Sequence, residues 1–92
     1  MIPIKVSAVA EADLRAIISY TKLEWGRTQA EALKNQLQSS IVFLSEFPEC
    51  GRSIKQLGAY ARPVPKLPFV ILYSYNKNEI IILQILHSKR NR

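Results

Sequence analysis

Two helical patterns meet with almost no chain between them. Ala10, Leu14, Ile17, Ile18, Thr21 and Trp25 recur at three- and four-residue steps and form one apolar stripe, predicting a helix from about Ala8 to Trp25. Ala30, Leu33, Leu37, Ile41 and Leu44 form a second stripe that ends at Phe47, before Pro48. Gly26 is placed to close the first helix, and Thr28 with Glu31 reads as a capping box opening the second. So short a joint leaves one solution: the helices fold back on each other as an antiparallel hairpin. Two stripes then need a second layer to pack against.

The rest of the chain supplies it. Ile2–Ser7 alternates Ile2, Ile4 and Val6 with Pro3, Lys5 and Ser7, the period of a half-buried strand, and Ser7 is suited to cap the following helix. Acids at Glu11 and Asp13 suit the first turns of that helix. Residues 48–60 read as turn-rich and basic. The two prolines of "YARPVP" restrict that short extended piece to an edge or an interrupted strand. Phe69–Tyr75 and Ile80–His87 are strong strands joined by the turn "NKNE". The expected architecture is α+β in the order β-α-α-β-β-β, with the helical hairpin on one face of a small, mainly antiparallel sheet.

One element strains this scheme. Strict alternation in the last strand puts Ile81, Leu83, Ile85 and His87 on one face and Ile80, Ile82, Gln84 and Leu86 on the other. Both faces are mostly apolar, yet one helical pair covers only one of them. Either loops screen the second face or a partner does.

Length and composition bound the function. Ninety-two residues suit a single domain spanning 1–92, and 48% hydrophobic with 22% charged residues is the balance of a globular chain. The one cysteine, Cys50, has no internal disulfide partner, and one His with one Cys provides no metal constellation. The N-terminal stretch has no apolar core of signal-peptide length, and "FVILY" and "IIIL" are too short to span a membrane, so a cytoplasmic protein without membrane contact is expected. No Gly-rich phosphate loop is present, and no cofactor is expected.

Charge is the sharper signal. Of a net +6, residues 1–49 contribute five Lys/Arg against six acids, whereas residues 50–92 carry eight Lys/Arg against Glu79 alone. Such asymmetry points to an acidic or polyanionic partner. Arg52, Lys55, Arg62, Lys66, His87, Lys89 and Arg90 form the basic group, and a meander of the last strands would bring its cations to one side of the sheet. Metal-free RNA cleavage needs a general base, a general acid and cations for the phosphate. Here the cations and one titratable histidine exist, but the C-terminus offers no second acid–base residue. By itself His87 reads first as a structural histidine, because it ends an apolar alternation.

Taken in order, "AEADLRAIISYTKLEWG", "FPECGRSIKQLGAYAR" and "FVILYSYNKNEIIILQILHSKR" resemble the RelE/ParE superfamily of bacterial type II toxins. The resemblance rests on Asp13, Leu14, Tyr20, Trp25-Gly26, Pro48, Gly51-Arg52, Arg62, Tyr73, and Ile85, Leu86, His87 and Arg90 of the closing "ILH..R". It implies a growth-inhibiting, plasmid-stabilising toxin neutralised by a cognate antitoxin, as a homodimer or a toxin–antitoxin hetero-oligomer. The Trp-Gly helix end, the "P..GR" turn and the absence of a tyrosine after Tyr75 are similar to the ParE branch, whose members poison DNA gyrase without catalysis. The alternative is the RelE branch, ribosome-dependent mRNA endoribonucleases, for which Arg62 and His87 would be the catalytic residues. On either branch Arg52, Arg62, Lys66, Lys89 and Arg90 are the expected target- or antitoxin-binding cations.

Overall fold

The computed structural model describes residues 2–88. Its elements run β1 (Ile4–Val6), α1 (Ala8–Trp25), α2 (Arg27–Glu46), β2 (Arg52–Ile54), β3 (Ala59–Pro63), β4 (Phe69–Tyr75) and β5 (Ile80–His87), with short 3-10 turns at Pro48–Cys50 and Lys55–Leu57. The sheet order is β1-β5-β4-β3-β2. Only β1 pairs in parallel, against β5; the other ladders are antiparallel. This is the expected α+β architecture, with one further short strand, β2, in the stretch read as turns.

That strand changes the standing of the proline-bearing piece. β3 is not an edge, because β2 pairs with it through Ala59, Tyr60 and Ala61. Pro63 lies past the end of β2, so its missing N–H interrupts nothing on that side.

The joint between the helices is tighter than a capping box. Gly26 adopts φ 94, its N–H donates to the Lys22 carbonyl and its own carbonyl accepts from Ala30. One residue therefore ends α1 and starts α2, and its positive φ is open to glycine at little cost. Thr28, expected as the cap, falls inside the first turn of α2, whose N-cap is Gly26.

The core collects Ala10 of α1, Leu37 and Leu44 of α2, and Phe69, Ile71, Tyr73, Ile80, Ile82 and Ile85 of the two long strands. Strict alternation in β5 does not hold. Tyr73 faces Ile82 while Leu72 faces Gln84, so Leu83 has no counterpart on β4 and the strand is bulged there. Past the bulge the faces exchange: Ile85 joins Ile80 and Ile82 in the core, and His87 comes opposite Phe69 on the helix side. The bulge buries Ile85 where regular pairing would have buried Gln84. Val70, Leu72, Ile81 and Leu86, half-buried, remain on the opposite face.

Tyr73 ties the α2–β2 connection to the sheet. Fully buried, its hydroxyl donates to the Pro48 carbonyl at 2.7 Å and accepts from the Gly51 N–H at 2.9 Å. A Cβ on Gly51 would stand 2.5 Å from that hydroxyl, so glycine is needed there for close approach. Burial pushes the Tyr73 phenol up from its ordinary 10.0 to about 12. Tyr73→Phe would strand the Pro48 carbonyl and the Gly51 N–H, and urea unfolding should show a loss of about 1–3 kcal/mol. Because the folded state holds this proton more tightly, its contribution is complete below pH 10.0 and lost as pH rises towards about 12. The stability gap between wild type and Tyr73→Phe should therefore narrow over that interval.

Candidate functional site

The helical hairpin meets the sheet firmly at one end only. Ala10, Leu37 and Leu44 are buried in the core, whereas Tyr20 and Trp25, near the hairpin tip, are 63% and 70% exposed. Between that outer half and the sheet lies an apolar cleft of about 1110 Å³. Its floor is Phe69, Ile85 and His87; Ile17, Tyr20, Thr21 and Trp25 of α1 and Leu33 of α2 wall it; Lys66, Leu67 and Pro68 form the lip.

Local structure explains each part. Thr21 Oγ1 donates to the Ile17 carbonyl at 2.8 Å, so the hydroxyl is satisfied within the helix. His87 stands edge-on to Phe69, with ring centroids 5.3 Å apart. Asp13 sits at the inner end, where its Oδ2 accepts from the Ile85 N–H at 2.9 Å. That bond serves a strand edge which β1, ending at Val6, no longer covers.

Lys66 is held at the lip by backbone geometry. Its φ is 68, the left-handed region, which costs a non-glycine residue roughly 1–2 kcal/mol. The turn around it is closed by Val64 N–H to Phe69 O and Leu67 N–H to Val64 O. Gln36 Nε2 of α2 adds a bond to the Pro65 carbonyl at 3.3 Å. The strain is absorbed by a turn that presents a cation beside an apolar cleft.

The expected site residues separate into groups. Lys66 and His87 line this cleft. Arg62 shares the helix-facing side of the sheet through its pairing with Ile71, but its guanidinium lies 5.0 Å over the Phe43 ring, which packs in turn on Phe47 at 4.9 Å. From strand spacings its backbone is roughly 12 Å from that of His87, two strands across and two residues along. Arg52, exposed on β2 opposite Ala61, belongs to the other face. Arg52 is thus parted from the cations on the helix-facing side, and Arg62 on that side rests on Phe43 and not in the cleft. Lys89 and Arg90 lie outside the described residues. Among the described residues two ion pairs occur, Lys5 with the half-buried Glu79 and the exposed Arg15–Glu11, and neither engages Arg52, Arg62 or Lys66. Nor does any group of three His, Cys, Asp or Glu there suit a metal ion, and no described helix is long and apolar enough to cross a membrane.

The cleft's walls were not evident from the sequence pattern. Trp25 counted as part of a core-facing stripe and Tyr20 only as a motif residue. The available signal was that a Trp at the last position of a helix, beside its turn, stands beyond the sheet that the stripe packs on.

Known proteins share this architecture. A family model described as the ParE toxin of the type II toxin-antitoxin system, parDE, matches residues 4–92. Toxin ParE1 of Caulobacter vibrioides is 31% identical over 91 residues, covering 99% of this chain and 94% of that protein. A solved structure of the chromosomal ParDE TA system from P. aeruginosa superposes with a TM-score of 0.86 at 23% identity, over 97% of this chain and 98% of that one. At that identity the last likeness speaks for the fold.

The Arg62 geometry has a measurable consequence. Arg62→Ala should lower stability by about 0.5–1 kcal/mol in chemical denaturation, the worth of a partly exposed cation–π contact. A neutral effect would show that the guanidinium does not rest on Phe43 in solution.

Proposed function

Since the chain belongs to the ParE family, toxins of type II toxin–antitoxin systems, we propose that it arrests growth by binding DNA gyrase, and that a cognate antitoxin silences it by filling the cleft between hairpin and sheet. The observation that carries binding over RNA cleavage is the separation of Arg62 from His87. One is packed over Phe43 and the other faces the cleft beside Phe69. Phosphate stabilisation and proton transfer must act within about 3 Å of one reacting centre. Tyr73 does not make up the set: its hydroxyl is buried, doubly hydrogen-bonded and hard to ionise.

The antitoxin reading is supported by the chemistry of the cleft. An amphipathic segment would set apolar side chains against Ile17, Leu33, Phe69 and Ile85, and an acid against Lys66 at the lip. The surplus of cations in the second half of the chain would draw an acidic segment in, raising the association rate more than the final affinity. The P. aeruginosa structure that shares the fold is that of a ParDE system, in keeping with a toxin–antitoxin hetero-oligomer. Arg52, with Lys89 and Arg90, would contribute to the same steering.

Two assays run side by side test the target. Purified toxin at micromolar concentration should inhibit gyrase supercoiling and leave mRNA intact in a translating extract. Intact supercoiling together with cut mRNA would replace this reading with the ribosome-dependent endoribonuclease, in which Arg62 and His87 act on the message. For the antitoxin, Trp25 is an intrinsic probe, being the sole tryptophan and 70% exposed. Its emission should shift to the blue as the complex forms, and Lys66→Glu should slow association, most strongly at low salt.

A further inference from the structure

Four hydrogen bonds meet at Ser7, one of them the first helical bond of α1, in which its carbonyl accepts from the Glu11 N–H at 2.9 Å. The Ser7 N–H donates to the Ile82 carbonyl at 3.0 Å, and its Oγ donates to the Leu83 carbonyl at 3.0 Å. The same Oγ accepts from the Ala10 N–H at 3.0 Å, capping α1. In a regular strand successive carbonyls point to opposite sides. Two consecutive carbonyls turned towards one residue are therefore peculiar to the bulged form of β5, and the Ser7 hydroxyl has this acceptor only while the bulge exists.

The register at stake decides what floors the cleft. With the bulge, Ile85 and His87 face the helices; regular pairing from Ile80 onward would bring Gln84 and Leu86 there instead. Burial opposes the slipped form only in part. It would bury Gln84 in place of Ile85, yet it would also bring Leu86 inward in place of His87. Because both faces of β5 are apolar, a single hydroxyl weighs heavily in that balance.

We infer that Ser7 is a positioning residue for partner recognition: its hydroxyl holds the β5 bulge and so puts Ile85 and His87, rather than Gln84 and Leu86, on the cleft floor. This rests on the cleft being the antitoxin site. Asp13 completes the arrangement by accepting from the Ile85 N–H just past the bulge. The first turns of α1 thus hold the strand that forms the floor beneath the rest of the helix.

Substitutions at Ser7 separate capping from holding the bulge. Ser7→Asp keeps a good N-cap acceptor but, ionised, has no proton to give the Leu83 carbonyl; Ser7→Thr keeps both functions. In the full-length protein the His87 ring-proton shifts, set by the edge-on Phe69 ring, should match wild type in Ser7→Thr and move towards free-histidine values in Ser7→Asp. Affinity for the cognate antitoxin should fall at least tenfold in Ser7→Asp and stay within twofold in Ser7→Thr. Should Ser7→Asp fail to fold, Gln84→Leu makes the slipped register cheaper without touching the cap, and the same His87 and affinity changes are expected. Wild-type His87 shifts in the folded variant, or displaced shifts with unchanged antitoxin affinity, would overturn the inference. A wild-type complex that leaves Trp25 emission unmoved would instead show that the antitoxin binds away from the cleft.

Discussion

The extra residue in β5 is the constraint on which the rest of the structure depends. A strand reading "IIILQILH" cannot bring Ile80, Ile82 and Ile85 to one face by alternation, since Gln84 would fall inward in place of Ile85. The bulge at Leu83 exchanges the faces halfway, so that Ile80, Ile82 and Ile85 all enter one core. Everything that packs on that face follows: the base of the helical hairpin, the row Phe69, Ile71, Tyr73 on β4, and the position of His87. The exchange requires donors for two carbonyls pointing the same way, and the residue joining β1 to α1 provides them.

Around that core, polar groups serve mainly to join backbone segments. Tyr73 bonds the turn after α2, Asp13 bonds β5 past the end of β1, and Asn76 Oδ1 closes the β4–β5 hairpin through the N–H groups of Asn78 and Glu79. Tyr60 packs against both Tyr73 and Tyr75, with centroids 5.7 and 4.8 Å away, so the aromatic residues at this end of the sheet also belong to the scaffold. What remains for recognition is the apolar cleft with its cationic lip, the exposed hairpin tip and the dispersed arginines. The binding role proposed for the chain needs little else. Surfaces that associate and dissociate require shape, apolar area and charge, without reacting groups held within ångströms of one another.

Much of this could be read from the chain. The 3.6-residue stripes set both helices and, through the short Gly26 joint, their antiparallel packing. Ser7 as cap and the ends of α1, β4 and β5 followed from propensities acting over a few residues. The basic half and the family resemblance were equally plain. β2 escaped because a three-residue strand between two turns has too short a period to register, and only its pairing with Ala59–Ala61 defines it. Thr28 misled because a sound capping box was pre-empted by a glycine that both closed and opened a helix.

Local chemistry and periodicity, then, determined the layers, the helical hairpin and the sign of the charge, since each depends on residues close in sequence. Tertiary structure decided the rest: the register of β5, the placing of Arg52 on the opposite face of the sheet from Arg62 and Lys66, and the cleft itself. The physical reason is the same in each case. A side chain's face depends on every residue counted along its strand, and a single bulge, selected by burial of Ile85, by the hydrogen bond that Ser7 donates and by the one that Asp13 accepts, more than seventy positions away, resets that count for all that follow.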